Sequence, residues 1–152
     1  MKRVVITGIG MLSSLGIGHD EIWPKIKDGI SGVDFLKKVD ASDLKTKFGA
    51  EVSPDFNAED FMDAKEARRS DPFIRFAVAA ASLALKDSKL EINDSNSHLV
   101  GSYIGSGIGG IQTFVDNTLV YNDKGPSRVS PFFVPSMVPN MAAGYVSIFN
   151  NL

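Results

Sequence analysis

The spacing of hydrophobic and polar residues divides this chain into short strand-like runs and longer helical ones. "RVVITG" is a β-branched run closed by glycine, the pattern of a strand covered on both faces, here Val4 to Thr7. "HDEIWPKIKDGISG" predicts a short helix, with Asp20 near its start and Gly29 as its stop. From Val33 to Phe56 the pattern is irregular and charged, which predicts loops and a small hairpin around "TKFGAEV". "NAEDFMDAKEARR" then predicts short helical turns, opened by Asn57 as a cap.

The clearest helix is "SDPFIRFAVAAASLALKDS". Ser70 or Asp71 can accept from the orphan amides of its first turn, and Pro72 suits the first helical position. Apolar residues from Phe73 to Leu85 cover most of its circumference and leave only Arg75, Ser82 and Lys86 as a polar stripe. A helix so apolar must lie between other layers. "HLVGSYIGSG" predicts a second strand, and "GIQTFVDNTLVYN" has a helical period. A proline-rich loop, "GPSRVSPFFVPSMVPN", leads to a last helix in "MAAGYVSIFNNL". Strands separated by helices indicate a layered α/β fold, with only two confident long strands and therefore an incomplete sheet.

A length of 152 residues suits one domain, spanning residues 1–152. With 43% hydrophobic and 22% charged residues the composition is globular, not disordered or fibrous. A net charge of −2 provides no global attraction to nucleic acid or anionic membranes, so any basic site is local. The absence of cysteine removes disulfides, thiolate metal sites and cysteine nucleophiles from this chain. Two histidines, His19 and His98, are too few for a His-rich metal centre, and no metal or cofactor is expected. The basic, then apolar N-terminus imitates a signal peptide, but glycines interrupt it and no A-x-A site follows. No run approaches the ~20 apolar residues of a membrane helix, and the cytosol is the expected location.

Gly105, Gly107 and Gly110 in "SYIGSGIGG" fit the G-x-G-x-x-G spacing of dinucleotide-binding turns. The strand, loop and helix are in order, yet "NDKGPSRVSPFFVPS" follows in place of a second parallel strand. The earlier turn, "TGIGMLSSLG", has Gly8 and Gly10 but Ser13 at the third position. A tight turn with close backbone packing is the better reading of the glycines. Glu51, Asp55, Glu59, Asp60 and Asp63 read as a solvated acidic face. In "KEARR", Lys65, Arg68 and Arg69 share one helical face, either as an anion-docking patch or in salt bridges to Glu66 or Asp71.

"KRVVITGIGMLSSLG", "VSPDFNAEDFMDAKEARRSDPFIRFAVAAASLAL", "GSGIGG" and "GPSRVSPFFVPSMVPNMAAG" together resemble the N-terminal part of a type II β-ketoacyl-acyl-carrier-protein synthase. The resemblance runs along the whole chain in the family's order. It implies the thiolase fold, a homodimer, and cytosolic fatty-acid elongation by decarboxylative Claisen condensation. In that reaction an acyl group passes from its carrier to a cysteine, and malonyl-carrier protein loses carbon dioxide and attacks the acyl thioester.

By the same resemblance, Ile108 lines the end of the acyl pocket, and the glycines around it leave room for a mobile apolar plug. Phe133 matches the phenylalanine that reaches across the dimer toward the partner's pocket. Lys65, Arg68, Arg69 and Arg128 match the basic positions where the acidic acyl carrier protein docks, while Ser127 stands at a neighbouring position that is often basic. The family's nucleophilic cysteine, its two catalytic histidines and its lysine have no counterpart here, so the chain alone is expected to be inactive. A cysteine-less partner like a chain-length factor, and a non-catalytic carrier-binding module, are the alternative readings. A cysteine encoded soon after Leu152 would favour the synthase over both.

Overall fold

The architecture rests on one long apolar helix and what each of its faces meets. The computed structural model describes residues 2–152. Helix α1 spans His19–Lys27, α2 Ala64–Arg69, α3 Pro72–Ser88, α4 Ile111–Lys124, α5 Phe133–Met137 and α6 Met141–Asn150. Two small antiparallel ladders accompany them. Strand β1 (Leu12–Ser13) pairs with β2 (Gly16–Ile17), and β3 (Asp34–Phe35) pairs with β4 (Phe48–Gly49).

Local chemistry sets the helix boundaries. The Asn57 side chain accepts from the Glu59 amide and opens a 3₁₀ turn at Ala58–Asp60, as its capping role predicts. Asp63 accepts from the amides of Lys65 and Glu66 and starts α2. Asp71, not Ser70, caps α3 by accepting from Phe73, with Pro72 at the first helical position. Helix α1 ends before Gly29, whose φ of +68° suits glycine at a helix stop.

Helix α3 packs against α6, and Ile74 and Val78 meet Tyr145 and Val146 in a core that also takes in Met62 and Ala67. Another face of α3 receives the N-terminal segment at very short range. A Cβ built on Gly10 would stand 1.8 Å from the Ala80 carbonyl oxygen, and one on Gly8 would stand 2.3 Å from that of Ala84. The predicted sandwiching of α3 is therefore observed, and small residues on both partners make it possible.

The strand predictions need correction. Neither Val4–Thr7 nor "HLVGSYIGSG" belongs to a ladder, and no backbone hydrogen bond joins the two segments among the described residues. Val4, Val5 and Ile6 are all exposed, Val4 at 90%. Their apolar pattern anticipates cover that residues 2–152 do not supply, and strand geometry without a paired neighbour has no ladder to stabilise it. The hairpin expected around "TKFGAEV" is formed by Phe48–Gly49, which pairs with Asp34–Phe35 across a long loop. Conversely, the proline-rich loop contains α5. Pro135 is tolerated there because it is the third helical residue, where an amide has no intrahelical acceptor to lose.

One pH-sensitive contact fastens α1 to the turn before it. Lys25 donates to Glu21 at 2.7 Å, and the Ile17 amide donates to the other carboxylate oxygen at 2.9 Å. These bonds, the lysine's first, hold the Glu21 carboxyl below its ordinary value of 4.5. A depressed folded value stabilises above the unfolded one and is lost as pH falls through it. Glu21→Gln is thus expected to reduce stability slightly at neutral pH and not at a pH well below that lowered folded value. Denaturant midpoints at both pH values check this.

Candidate functional site

The glycine loop owes its shape to what presses against its end. Gly105 and Gly107 have open space where a side chain would be. Gly109 has a φ of +80°, and a Cβ there would lie 2.6 Å from the Met137 carbonyl oxygen. A Cβ on Gly110 would lie 2.2 Å from that of Ser136. The Gly110 amide donates to the Met137 carbonyl at 2.8 Å, and the Gly109 amide donates to Ser106 Oγ at 3.0 Å. The glycine requirement lies in Gly109 and Gly110, where backbone meets backbone, and Gly109 is outside the G-x-G-x-x-G spacing.

Ile108 projects from this loop and is 69% exposed. Phe133 opens α5, half-buried, with its ring centroid 6.2 Å from that of Phe114 on α4. An apolar cleft of 480 Å³ lies nearby, between α3 and the N-terminal segment, lined by Met11, Phe73, Phe76, Ala80, Ile104 and Ala142 among others. Ile108 and Phe133 are not among its lining residues. Sequence reasoning had no signal for this cleft, because its walls come from segments far apart in the chain.

On α2 the basic residues differ in their surroundings. Lys65 and Arg68 are exposed, and among the described residues neither takes part in an ion pair. Arg69 is more engaged. Its guanidinium lies 3.7 Å from the Glu66 carboxylate and 4.3 Å from the Phe132 ring centroid, a cation–π stack. Of the two salt-bridge partners considered, Glu66 is therefore used, and Asp71 turns inward. Arg128 is exposed at the end of a 3₁₀ turn, Pro126–Arg128. Nearby, burial pushes the Tyr145 hydroxyl up, with Glu66 adding to the effect and Arg69 opposing it.

The histidines stand apart from these groups. His19 Nε2 lies 3.0 Å from Asp20 and 3.9 Å from Asp87, and His98 is exposed in a 3₁₀ turn. Among the described residues, no group of three or more His, Asp or Glu side chains is placed to hold a metal. No helix among them is long and apolar enough to cross a membrane.

Comparison with known proteins bears directly on this geometry. A family model described as "Beta-ketoacyl synthase, N-terminal domain" matches residues 1–152. The chain belongs to the β-ketoacyl synthase family. It is 46% identical over 147 residues to the 3-oxoacyl-[acyl-carrier-protein] synthase 2 of Staphylococcus aureus strain N315. That alignment covers 97% of this ketosynthase chain and 35% of the relative. The chain therefore spans about a third of its relative's length.

Among solved structures, a β-ketoacyl synthase from Burkholderia phymatum STM815 superposes with a TM-score of 0.80 at 29% identity, covering all of this chain and 38% of that one. A ketosynthase solved in complex with its type II PKS acyl-carrier protein superposes at 0.77, with 22% identity and coverage of 99% and 39%. This second likeness is one of fold. The layered α/β, thiolase-like fold implied by the sequence resemblance is the fold of these ketosynthases, of which the chain forms the N-terminal part.

Proposed function

We propose that this ketosynthase chain is the N-terminal portion of a 3-oxoacyl-acyl-carrier-protein synthase that extends fatty acids in the cytosol as a homodimer. The observation that carries the reading is the family match along the full chain, joined to Lys65 and Arg68, exposed on one helix and in no ion pair among the described residues. Such a helix suits an acidic carrier, because unpaired charges at a surface steer encounter. The ketosynthase solved with its acyl-carrier protein supports the same class of partner.

In this reading the complete enzyme transfers an acyl group from carrier thioester to a cysteine thiolate and releases the carrier thiol. Decarboxylation of malonyl-carrier protein then leaves a carbanion that attacks the acyl carbonyl and expels the thiolate. Residues 1–152 contain no cysteine, so their share of the work is to dock the carrier and shape the acyl pocket. Ile108 serves as the movable end of that pocket. Phe133 faces the partner's pocket across a dimer contact that also covers the exposed Ile111, Phe114, Val115 and Leu119 of α4.

Acyl-chain profiling of the complete protein tests the proposal. The wild type is expected to elongate acyl-carrier protein with malonyl-carrier protein, and Ile108→Phe to restrict it to short primers. A larger ring at the pocket end costs about 1–3 kcal/mol for long chains, a loss of kcat/KM of roughly fivefold to a hundredfold. Absence of elongation by the wild type would refute the enzyme reading. An unchanged length profile in the variant would remove Ile108 from the pocket.

A further inference from the structure

Asp71 sits where the basic helix α2 gives way to α3, and it is only 3% exposed. Buried carboxylates ordinarily sit beside a cation. Among the described residues no lysine, arginine or histidine pairs with this one. Its two oxygens accept instead from amides at the starts of two different helices. Oδ1 takes the Phe73 amide of α3 at 3.3 Å, and Oδ2 takes the Thr113 amide of α4 at 2.8 Å. Each helix presents its positive end to the carboxylate.

The first of these bonds is ordinary capping, which serine or asparagine performs as well. The second needs a separate explanation. It joins residues 42 positions apart and fastens the first turn of α4, just after the glycine loop. The other side of that loop is held from the same place. Ser136 Oγ donates to the Arg69 carbonyl at 2.6 Å, and the carbonyls of Ser136 and Met137 press on Gly110 and Gly109. The stretch from Arg69 to Asp71 thus grips the base of the Ile108 loop from two directions.

We propose that Asp71 is a positioning residue for Ile108: by tying the start of α4 to the end of α2, it fixes where the loop is rooted and so which acyl lengths the pocket accepts. The assignment rests on the reading of Ile108 as the pocket's end. Asp71 acts through the backbone and needs no contact with substrate. Both of its oxygens must accept, which a carboxylate does and an amide or hydroxyl in the same place does not.

The test uses the complete protein with free acyl-pantetheine primers, which bypass carrier docking. Asp71→Ser keeps a capping oxygen for Phe73 and withdraws the acceptor from Thr113. Loss of a charge-assisted bond of this kind shifts an equilibrium by roughly tenfold. The ratio of kcat/KM between the best and poorest primer lengths is expected to move toward unity by about that factor. Amide exchange at Thr113 and across residues 106–110 is expected to accelerate, while α3 stays protected. Should Asp71→Ser not fold, Asp71→Asn is used instead: its single carbonyl oxygen replaces two acceptors, and amide exchange at Thr113 against Phe73 shows which bond is lost. A uniform fall at every primer length, or unchanged exchange at Thr113, would overturn the assignment and leave only a structural role. An unchanged profile, in a protein whose profile Ile108→Phe does alter, would overturn it while leaving the pocket reading intact. If neither substitution changes the profile, the pocket reading itself is wrong and this role falls with it.

Discussion

Reversal of Lys65, Arg68 and Arg69 to glutamate in the complete enzyme is expected to raise KM for acyl-carrier protein by about one to three orders of magnitude at low salt. Exposed charges of one sign accelerate encounter with an acidic partner, and a Debye length of about 10 Å at 0.1 M salt limits their reach. The variant's KM should therefore respond less to added salt than the wild type's. Single variants separate the contributions. Among the described residues Lys65 and Arg68 have no ion pair to lose, so their reversal acts mainly on docking. Arg69→Glu also places an acid beside Glu66 and removes the stack on Phe132, and should cost some stability as well. Steady-state rates with carrier-borne and free acyl-pantetheine primers are the measurement. Equal losses with both would show damage to the fold and refute a docking role.

The second large effect concerns the N-terminal segment. Gly10→Ala is expected to cost more than about 4 kcal/mol, the exceptional range for one substitution, because the added carbon meets backbone and not a yielding side chain. Its position 1.8 Å from the Ala80 oxygen and 2.8 Å from the Ala84 nitrogen leaves only displacement of the segment from α3. Gly105→Ala is the control. Nothing lies within 4 Å of its built Cβ, so the change should be neutral or slightly stabilising through the unfolded chain. Chemical denaturation of both variants decides the matter, and a Gly10→Ala protein within about 0.5 kcal/mol of wild type, the scale of a surface substitution, would show that the segment does not dock so closely.

These residues also show what the sequence alone makes legible. Helices were readable because their signals are local. Asn57, Asp71 and Pro72 each sit where a capping rule places them, and α3 announces its burial through an apolar circumference broken only by the stripe of Arg75, Ser82 and Lys86. Strands were less readable because a ladder depends on a neighbour that no local pattern names, and Phe48–Gly49 finds its partner on the far side of a loop. At the candidate site, family resemblance singles out Ile108 and the basic residues as candidates, and spacing alone leaves both undecided. Three connections stayed hidden: Asp71 to Thr113, Ser136 to the Arg69 carbonyl, and Arg69 to Phe132. Each spans tens of residues, and Asp71 and Arg69 already have local partners in Phe73 and Glu66, so nothing in the sequence marks them.

The two ends of the glycine loop have unequal freedom, and this bounds how far Ile108 can travel. Gly109 and Gly110 are wedged against carbonyl oxygens, whereas Gly105 and Gly107 stand in open space. The loop behaves as a short tether with a fixed post at its C-terminal end. From Gly110 back to Ile108 the chain spans two residues, and at about 3.3–3.6 Å per residue the Cα of Ile108 stays within roughly 7 Å of that post. Whatever occupies the space beside it, the isoleucine sweeps a small arc and never withdraws across the molecule.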